Sequence, residues 1–305
     1  MPDQTTHKSE LKRLAALTES AELGGGAKAI EKRHALGKLT ARERLNLLFD
    51  PHTFVEMNQL AESQAVDFGM QQKKVPGDGV VIGYGAVEER LVFAYAQDAT
   101  VLGGSVGTVH GQKICRIIDE ALKVKAPIVG LFDSGGGRIH EGFFASKGVA
   151  GMFYRNTAAS GVIPQISAMM GPCAGVSVYS PALTDFIIMV EGTSQMAITG
   201  PGVIKSVTGE NVTLEELGGA KVHSEITGQA HMVAKTDTDC LRSIRSLLAY
   251  LPSNNEESPP AVESNDDPFR TDPSLEDIVP ADFRKAYDMR EVIARVVDQG
   301  TFHEL

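Results

Sequence analysis

A glycine-rich turn near the middle of the chain has the composition of a reaction site lined by backbone. It spans residues 171–175, follows the apolar run 162–170 and precedes Val176. If a helix begins there, its first N–H groups have no helical partner and lie at the positive end of the dipole. Such groups can stabilise a developing oxyanion. We therefore predict that the amides of Gly175 and Val176 are catalytic; a turn that merely lets strand and helix pack is the alternative.

A second turn, after the apolar run 127–132, combines Ser134 with three consecutive glycines. Three glycines allow a flat ligand or a thioester to approach the backbone closely. A third backbone-rich loop, residues 97–105, follows another apolar run. Ligands of open α/β sheets bind beyond the carboxyl ends of the strands, which is where these loops are expected. Ser134 as a nucleophile is an alternative, although the G-x-S-x-G elbow of many serine hydrolases is absent.

A cluster of basic residues between positions 28 and 44 stands out in an acidic chain. Positive charge close to the start of a helix suits phosphate groups. We predict Lys38 and Arg42 as candidates for phosphate binding. A solvated helix face is the alternative interpretation.

The composition restricts the possible partners. The formal net charge of −10 argues against nucleic acid and anionic membranes. The three cysteines are isolated, which favours a reducing compartment and argues against a zinc ribbon. No apolar run approaches the roughly 18 residues that a membrane helix needs. We therefore predict a cytoplasmic protein with no metal site and no membrane insertion.

The order of the elements predicts an α/β protein. Between residues 78 and 235, apolar strands alternate with glycine turns and helices, which indicates a mostly parallel sheet covered on both faces. Two helices precede it, and the second is expected to start at Thr40 with Glu43 completing a capping box. We predict an N-terminal helix in 1–25, a main domain in 26–251, an acidic, proline-rich connector in 252–286 and a further segment in 287–305.

The last segment repeats the beginning of the main domain. Residues 290–305 align with residues 42–57 and share Arg, Glu, Asp, Thr, Phe and Glu at equivalent positions. A helix that leads into a strand thus begins a second time. We expect these residues to start a second, homologous domain, the rest of which is missing here. Chance similarity of two helix–strand junctions is the alternative.

Together these segments resemble the carboxyltransferase subunits of biotin-dependent acyl-CoA carboxylases and decarboxylases, of the propionyl-CoA carboxylase beta chain and methylmalonyl-CoA decarboxylase alpha subunit type. The resemblance implies a crotonase-like ββα spiral preceded by N-terminal helices. It extends from about residue 20 onwards and implies the N-terminal half of a chain that has two such domains. The matching stretches are 37–45, 97–98 with 103–105, 133–136, 161–165, 171–175, 179–186, 199–201, 203–208 and 217–220.

The resemblance also implies roles for the three loops. Gly175 and Val176 would hold the thioester carbonyl as its enolate forms, and the loop 99–105 would lie along the CoA. Biotin would be carried on another chain or domain, since no Met-Lys-Met biotinylation motif is present. The residues expected to contact the CoA or the acyl group are Ala99, Gly103, Gly104, Ser105, Ser134, Gly135, Gly136, Gly137, Arg138, His140, Phe143 and Phe144.

The expected function is that of the acyl-CoA-binding carboxyltransferase component of a biotin-dependent carboxylase. Its thioester enolate would accept CO2 from carboxybiotin. The expected partners are an acyl-CoA, a second carboxyltransferase half, and biotin carboxylase and biotin carrier components, assembled in an oligomer. Departures from the family pattern, with Gly137 in place of Ala and Val176 in place of Gly, lie beside the expected site. A biotin-dependent decarboxylase subunit and a non-catalytic CoA-binding or assembly subunit are the alternatives.

Overall fold

A computed structural model of the chain describes residues 4–264, 266–267, 269–298 and 300–305. The chain divides into two compact units, Met1–Pro259 and Pro260–Leu305. The first unit contains the sheet and the glycine-rich turns. Within the described part of the chain, no helix is long and apolar enough to cross a membrane.

The strands of the first unit form a single mixed sheet. Those in the described residues are β1 Val55–Met57, β2 Val80–Val87, β3 Arg90–Gln97, β4 Ile128–Ser134, β5 Gln165–Ala174, β6 Phe186–Val190, β7 Gln195–Ala197 and β8 Met232–Ala234. Their order is β1-β2-β3-β4-β5-β6-β8, and β7 pairs with β5. The pairs β1–β2 and β2–β3 are antiparallel, whereas the other pairs are parallel.

Helices cover both faces of this sheet. In the first unit they are α1 Gln4–Leu23, α2 Ala27–Ala35, α3 Ala41–Leu48, α4 Thr108–Val124, α5 Ala145–Ala159, α6 Val176–Tyr179, α7 Pro201–Thr208, α8 Leu214–Gly218, α9 Ala220–Glu225 and α10 Asp237–Tyr250. Two further helices, α11 Leu275–Ile278 and α12 Met289–Val296, belong to the second unit. The predicted capping box is confirmed, since Thr40 caps α3 and exchanges hydrogen bonds with Glu43.

The parallel strands have apolar cores on both sides. All seven residues of β4 are buried, as expected for a strand that is covered on both faces. One core includes Ile114 of α4 and Met152 of α5. The other includes Leu45 of α3 and Leu241 of α10. This double cover fixes the carboxyl edge of the sheet, from which the glycine-rich turns emerge.

The register of β4 and β5 places their two turns side by side. The strands pair from Ile128 and Gln165 onwards, and after an irregularity beyond Phe132 they pair again at Ser134 and Cys173. Because both strands run in the same direction, the turns that follow them emerge at the same edge.

Candidate functional site

Two unpaired backbone amides lie at this edge. They belong to Gly137, in the turn after β4, and to Val176, the first residue of α6. Among the described residues, neither N–H group has a protein acceptor. A Cβ built on Gly137 would lie 3.5 Å from Cγ2 of Val176, so the two turns are neighbours. Gly137 is exposed and Val176 is half-buried; a ligand can therefore reach both residues.

The structure corrects the expectation for Gly175. Its N–H group donates to the carbonyl of Ala197 in β7 at 3.1 Å and is thereby occupied. In addition, α6 has only four residues, so few aligned peptide dipoles contribute at its start. The amides of Gly137 and Val176, by contrast, have no protein acceptor in the part of the chain that the structure describes. The sequence did not reveal this, because the acceptor comes from a strand more than twenty residues away.

Ser134 links the two turns from inside the protein. Its side chain is buried, and its Oγ accepts a hydrogen bond from Oγ of Ser177 at 2.8 Å. It also accepts one from the N–H of Gly136 at 3.2 Å. The left-handed φ of 99° at Gly136 is one that glycine adopts without strain. These contacts favour a structural role for Ser134 over that of an exposed nucleophile.

The loop between β3 and α4 packs against the turn after β4. The carbonyl of Gly103 accepts a hydrogen bond from the N–H of Gly135 at 3.0 Å. A Cβ on Gly104 would overlap the carbonyl oxygen of Asp133, so glycine is required for this close approach. Ala99 lies half-buried in the same loop. The structure thus brings together the loop 97–105 and the turn after β4, which were predicted separately as parts of the site.

Arg138 is enclosed by protein rather than exposed to a substrate, which corrects the expectation that it contacts the CoA or acyl group. It is 2% exposed. Its Nη1 donates to Asp78 at 2.6 Å and to Glu141 at 2.9 Å. Its Nη2 donates to the carbonyl of Ser105 at 2.8 Å. The guanidinium therefore joins three segments and holds the turn that presents Gly137.

Glu141 extends this buried network to the start of α4. Its carboxylate accepts hydrogen bonds from the N–H of Thr108 at 2.7 Å and from Oγ of Ser63 at 3.0 Å. Burial alone raises the pKa of Glu141, but the Thr108 hydrogen bonds and the charge of Arg138 bring that pKa below its ordinary value. Glu141 is therefore an ionised structural group.

A second ionic network lies beneath the turn and was not predicted. Asp133 pairs with Arg33 at 2.5 Å and with Arg44 at 3.0 Å. Arg44, which is fully buried, also pairs with Asp237 at 2.8 Å. These pairs connect α2, α3 and α10 to the end of β4. The partners are about 90 to 200 positions apart, so no local pattern indicates them.

A buried hydrogen-bond chain joins the two networks. Gln97 accepts from the N–H of Asp133 at 3.2 Å, and its amide nitrogen lies 3.4 Å from Nε2 of His110. The other ring nitrogen of His110 lies 3.1 Å from the carbonyl of Asp78. Burial lowers the pKa of His110 to about 3. The ring is therefore neutral, and it donates to Asp78 while accepting from Gln97.

A cleft of about 310 Å³ lies beside the turn, lined in part by Thr108, His140 and Phe144. Phe143 does not line this cleft and is 85% exposed, while Phe144 is 69% exposed. Together with Phe68 and Ile139, which are also exposed, they form what we call the apolar patch. Neither Phe143 nor Phe144 is enclosed as a wall of a buried acyl pocket would be.

The structure contradicts the expectation that Lys38 and Arg42 are available to phosphate. Nζ of Lys38 donates to the carbonyl of Thr193 at 2.8 Å, and burial lowers the pKa of this lysine. Arg42 pairs with Glu56 and donates to the carbonyl of Ala21 at 3.1 Å. Both side chains connect elements of the fold.

Residues 32–305 match the carboxyl transferase domain family. The chain belongs to the carboxyl transferase family. It is 56% identical over 282 residues to methylmalonyl-CoA decarboxylase subunit alpha of Veillonella parvula, covering 92% of this chain and 55% of that protein. It is 49% identical over 306 residues to the mitochondrial propionyl-CoA carboxylase beta chain of Sus scrofa, covering 100% of this chain and 56% of that protein. This carboxyl transferase chain thus spans about half the length of these relatives.

Solved structures support the same assignment. Transcarboxylase 12S, described as a hexamer assembly with hydrolysed methylmalonyl-CoA bound, matches with a TM-score of 0.93 and 46% identity, over 96% of this chain and 57% of that one. The beta subunit of geranyl-CoA carboxylase from P. aeruginosa matches with a TM-score of 0.65 and 29% identity, over 98% and 53%. The predicted family and the predicted crotonase-like α/β fold of this carboxyl transferase chain are confirmed.

Proposed function

We propose that this chain is the acyl-CoA-binding component of a biotin-dependent acyl-CoA carboxyltransferase. The observation that carries the proposal is the pair of unpaired amides of Gly137 and Val176, in a chain of the carboxyl transferase family. In the proposed reaction, both N–H groups donate to the carbonyl oxygen of the thioester. As the α-carbon loses its proton, negative charge moves onto that oxygen. The amides then bind the enolate more strongly than the ground state, which lowers the barrier.

The buried carboxylates near the turns are poorly suited to removing the α-proton. Asp133 is paired with two arginines, and Glu141 accepts hydrogen bonds from Arg138 and Thr108. We therefore assign proton removal to a group outside these two networks. Biotin, which we place on another domain or chain, would supply the carboxyl group as CO2 from its carboxylated form, and the ureido nitrogen freed by that loss would take up the α-proton. The residues of this chain bind and orient the thioester and stabilise its enolate.

The apolar patch supports a site that is shared with a second protein surface. Ile139, Phe143 and Phe144, which follow Gly137 in the chain, are exposed. Phe68 is exposed as well, and its ring lies 6.5 Å from that of His140; exposed apolar surface of this kind is typical of interaction sites. We propose that the second carboxyltransferase half covers this patch and brings the biotin carrier to the thioester. Transcarboxylase 12S is described as a hexamer, and we propose an oligomer for this protein as well. Biotin carboxylase as a further partner and a cytoplasmic location remain proposals.

We also propose a division of the chain into domains. We place the main domain in 26–251 after the N-terminal helix in 1–25, followed by the connector in 252–286, and propose that 287–305 begin a second homologous domain. The repeated junction is the observation that supports this.

A decarboxylase is the second candidate, because the relative at 56% identity is a methylmalonyl-CoA decarboxylase subunit. The same amides would then stabilise the enolate that forms when CO2 leaves. Direction is decided by which thioester is consumed: incubation of the assembled enzyme with methylmalonyl-CoA or with propionyl-CoA, in separate reactions, distinguishes the two.

The test removes one amide donor. Val176→Pro deletes the N–H group of a residue at the first helical position, where proline is tolerated. We expect carboxyl transfer by the assembled enzyme to fall roughly 100-fold or more, as when one oxyanion donor is lost elsewhere. Val176→Ala keeps the amide and serves as the matched control, with little change expected. Equal losses in both variants would contradict the amide's role.

A further inference from the structure

The turn between α1 and α2 packs against the loop that we assign to the CoA. This turn, Gly24–Gly26, is here called the triglycine turn. The N–H of Gly25 donates to Oγ1 of Thr100 at 3.0 Å. A Cβ on Gly25 would overlap the carbonyl oxygen of Thr100, and one on Gly24 would lie 2.5 Å from Oδ2 of Asp98. Gly24 and Gly25 therefore allow this close contact with the loop because they have no side chain.

Thr100 connects the triglycine turn to the rest of the loop by hydrogen bonds. Its Oγ1 donates to Asp98 at 2.6 Å while accepting from Gly25. Its N–H group donates to the same Asp98 oxygen at 2.9 Å. The N–H of Asp98 is itself held by the carbonyl of Gly79 at 2.8 Å. These hydrogen bonds hold Asp98 and Thr100, in the first half of the loop, in the conformation that the structure shows.

The second half of the loop transmits this conformation to the turn after β4. The N–H of Gly104 donates to the carbonyl of Val101 at 2.9 Å, and the carbonyl of Gly103 accepts from Gly135. Gly135 lies two residues before Gly137, whose amide is unpaired. A continuous series of hydrogen bonds and close backbone contacts therefore runs from the triglycine turn to the proposed thioester site.

We propose that the triglycine turn is a positioning element for acyl-CoA binding. It does not contact the reacting atoms; it holds the Ala99–Ser105 loop in the conformation that receives the CoA. This inference rests on the proposed function, because that function assigns the loop to the CoA. The new element is that the triglycine turn, between α1 and α2, influences the affinity for the acyl-CoA.

The first test compares variants of Thr100 by titrating the full chain with propionyl-CoA in a calorimeter. Thr100→Val removes the hydroxyl that Gly25 and Asp98 use, whereas Thr100→Ser retains it. We expect the dissociation constant to rise roughly two- to tenfold for Thr100→Val, because only part of the contribution of the lost hydrogen bonds is transmitted to the contact between the loop and the CoA. Thr100→Ser should restore affinity close to that of the unsubstituted chain. Equal affinities for all three proteins would overturn the inference.

The second test introduces the missing Cβ. Gly25→Ala should displace Thr100 and weaken propionyl-CoA binding. Gly202→Ala is the control, since a Cβ at that glycine meets no atom within 4 Å. Thermal unfolding and hydrogen exchange of the loop amides, measured on the same samples, separate a displaced loop from an unfolded chain. Weaker binding with faster loop exchange and an unchanged melting midpoint is expected. Unchanged affinity of Gly25→Ala would contradict the positioning role.

Binding of propionyl-CoA by the unsubstituted chain distinguishes failure of the proposed function from failure of the inference. If the unsubstituted chain does not bind propionyl-CoA at millimolar concentration, the proposed function is contradicted, and the inference with it. If it binds, but the variants of Gly25 and Thr100 bind equally well, the inference alone is wrong.

Discussion

The chain contains two copies of one helix–strand junction that differ in burial. In the first copy, residues 40–57, Leu45 and Leu48 of α3 are completely buried, and Val55–Met57 form β1. In the second copy, residues 288–305, no described residue of α12 is buried. Val296, the counterpart of Leu48, is 64% exposed. The same apolar pattern is therefore buried in a hydrophobic core in the first copy and exposed in the second.

The local features of the junction are nevertheless present in both copies. Thr40 caps the first helix, and Asp288 caps the second by accepting from the N–H of Arg290. Arg42 pairs with Glu56 in the first copy. The equivalent residues, Arg290 and Glu304, pair at 3.7 Å in the second. Capping and ion pairing therefore follow the local sequence, whereas burial requires other elements to pack against the helix.

The largest expected difference between the copies concerns the buried leucine. Leu48→Ala should lower the free energy of unfolding by about 2–5 kcal/mol, because it leaves a cavity in the core. Val296→Ala, the matched change in α12, should alter it by no more than about 0.5 kcal/mol. Urea unfolding followed by circular dichroism measures both. If Val296→Ala were as costly as Leu48→Ala, the contrast in burial would be contradicted.

The ion pairs should differ less. A double-mutant cycle with Arg42→Gln and Glu56→Gln should give a coupling of about 1–3 kcal/mol, as for hydrogen bonds to charged groups. The corresponding cycle on Arg290 and Glu304 should give no measurable coupling, since both side chains are mostly exposed and are screened by solvent. The cycles are measured by urea unfolding at low and high salt. A strong, salt-insensitive coupling in the second pair would show that this pair is buried in solution.

The smallest effect concerns pH and a buried lysine beside the first pair. Burial lowers the pKa of Lys113 to about 8, while the charge of Glu56 opposes that shift. An unfolded lysine titrates near pH ~10.4. Between these values the unfolded chain binds more protons than the folded one, so stability should rise with pH across this window.

Glu56→Gln removes the opposing charge and lowers the pKa of Lys113 further. The rise in stability should then begin at a lower pH than in the unsubstituted protein. Glu304→Gln is the matched control in the second copy and should leave the profile unchanged. Unfolding free energies measured from pH 7 to 11 provide the comparison, and identical profiles for both variants would disprove the coupling of Glu56 to Lys113.

Much of the fold was predictable because it depends on short-range patterns. The apolar runs before residues 133 and 171 predicted parallel strands, and β4 and β5 are parallel. The turn predicted at 171–175 is wrong in its bounds, because β5 continues to Ala174. The capping box of Thr40 and Glu43 was predictable because it too is a short-range pattern. Motif resemblance then indicated the family, which the comparisons confirmed.

The candidate site was only partly predictable. Among the described residues the amide of Val176 has no protein acceptor, and its catalytic role stays a prediction. The sequence could not show that the amide of Gly175 donates to the carbonyl of Ala197. Lys38 and Arg42 were predicted to bind phosphate because they belong to a basic cluster close to a helix start, and contact of Arg138 with the CoA or acyl group was implied by the resemblance. In the structure each is held by partners from other segments. These partners lie too far along the chain for spacing to reveal them.

The sequence by itself determined that strands and helices alternate, that Thr40 begins a helix and which family the chain resembles. These properties depend on backbone sterics, capping and hydrophobic period, all of which act over a few residues. Only the tertiary structure decided which polar groups remain free. Among the described residues, folding brings no protein acceptor to the amides of Gly137 and Val176. It does surround Arg138 with the carboxylates of Asp78 and Glu141. The availability of a group depends on everything packed around it, and that is settled when the chain folds.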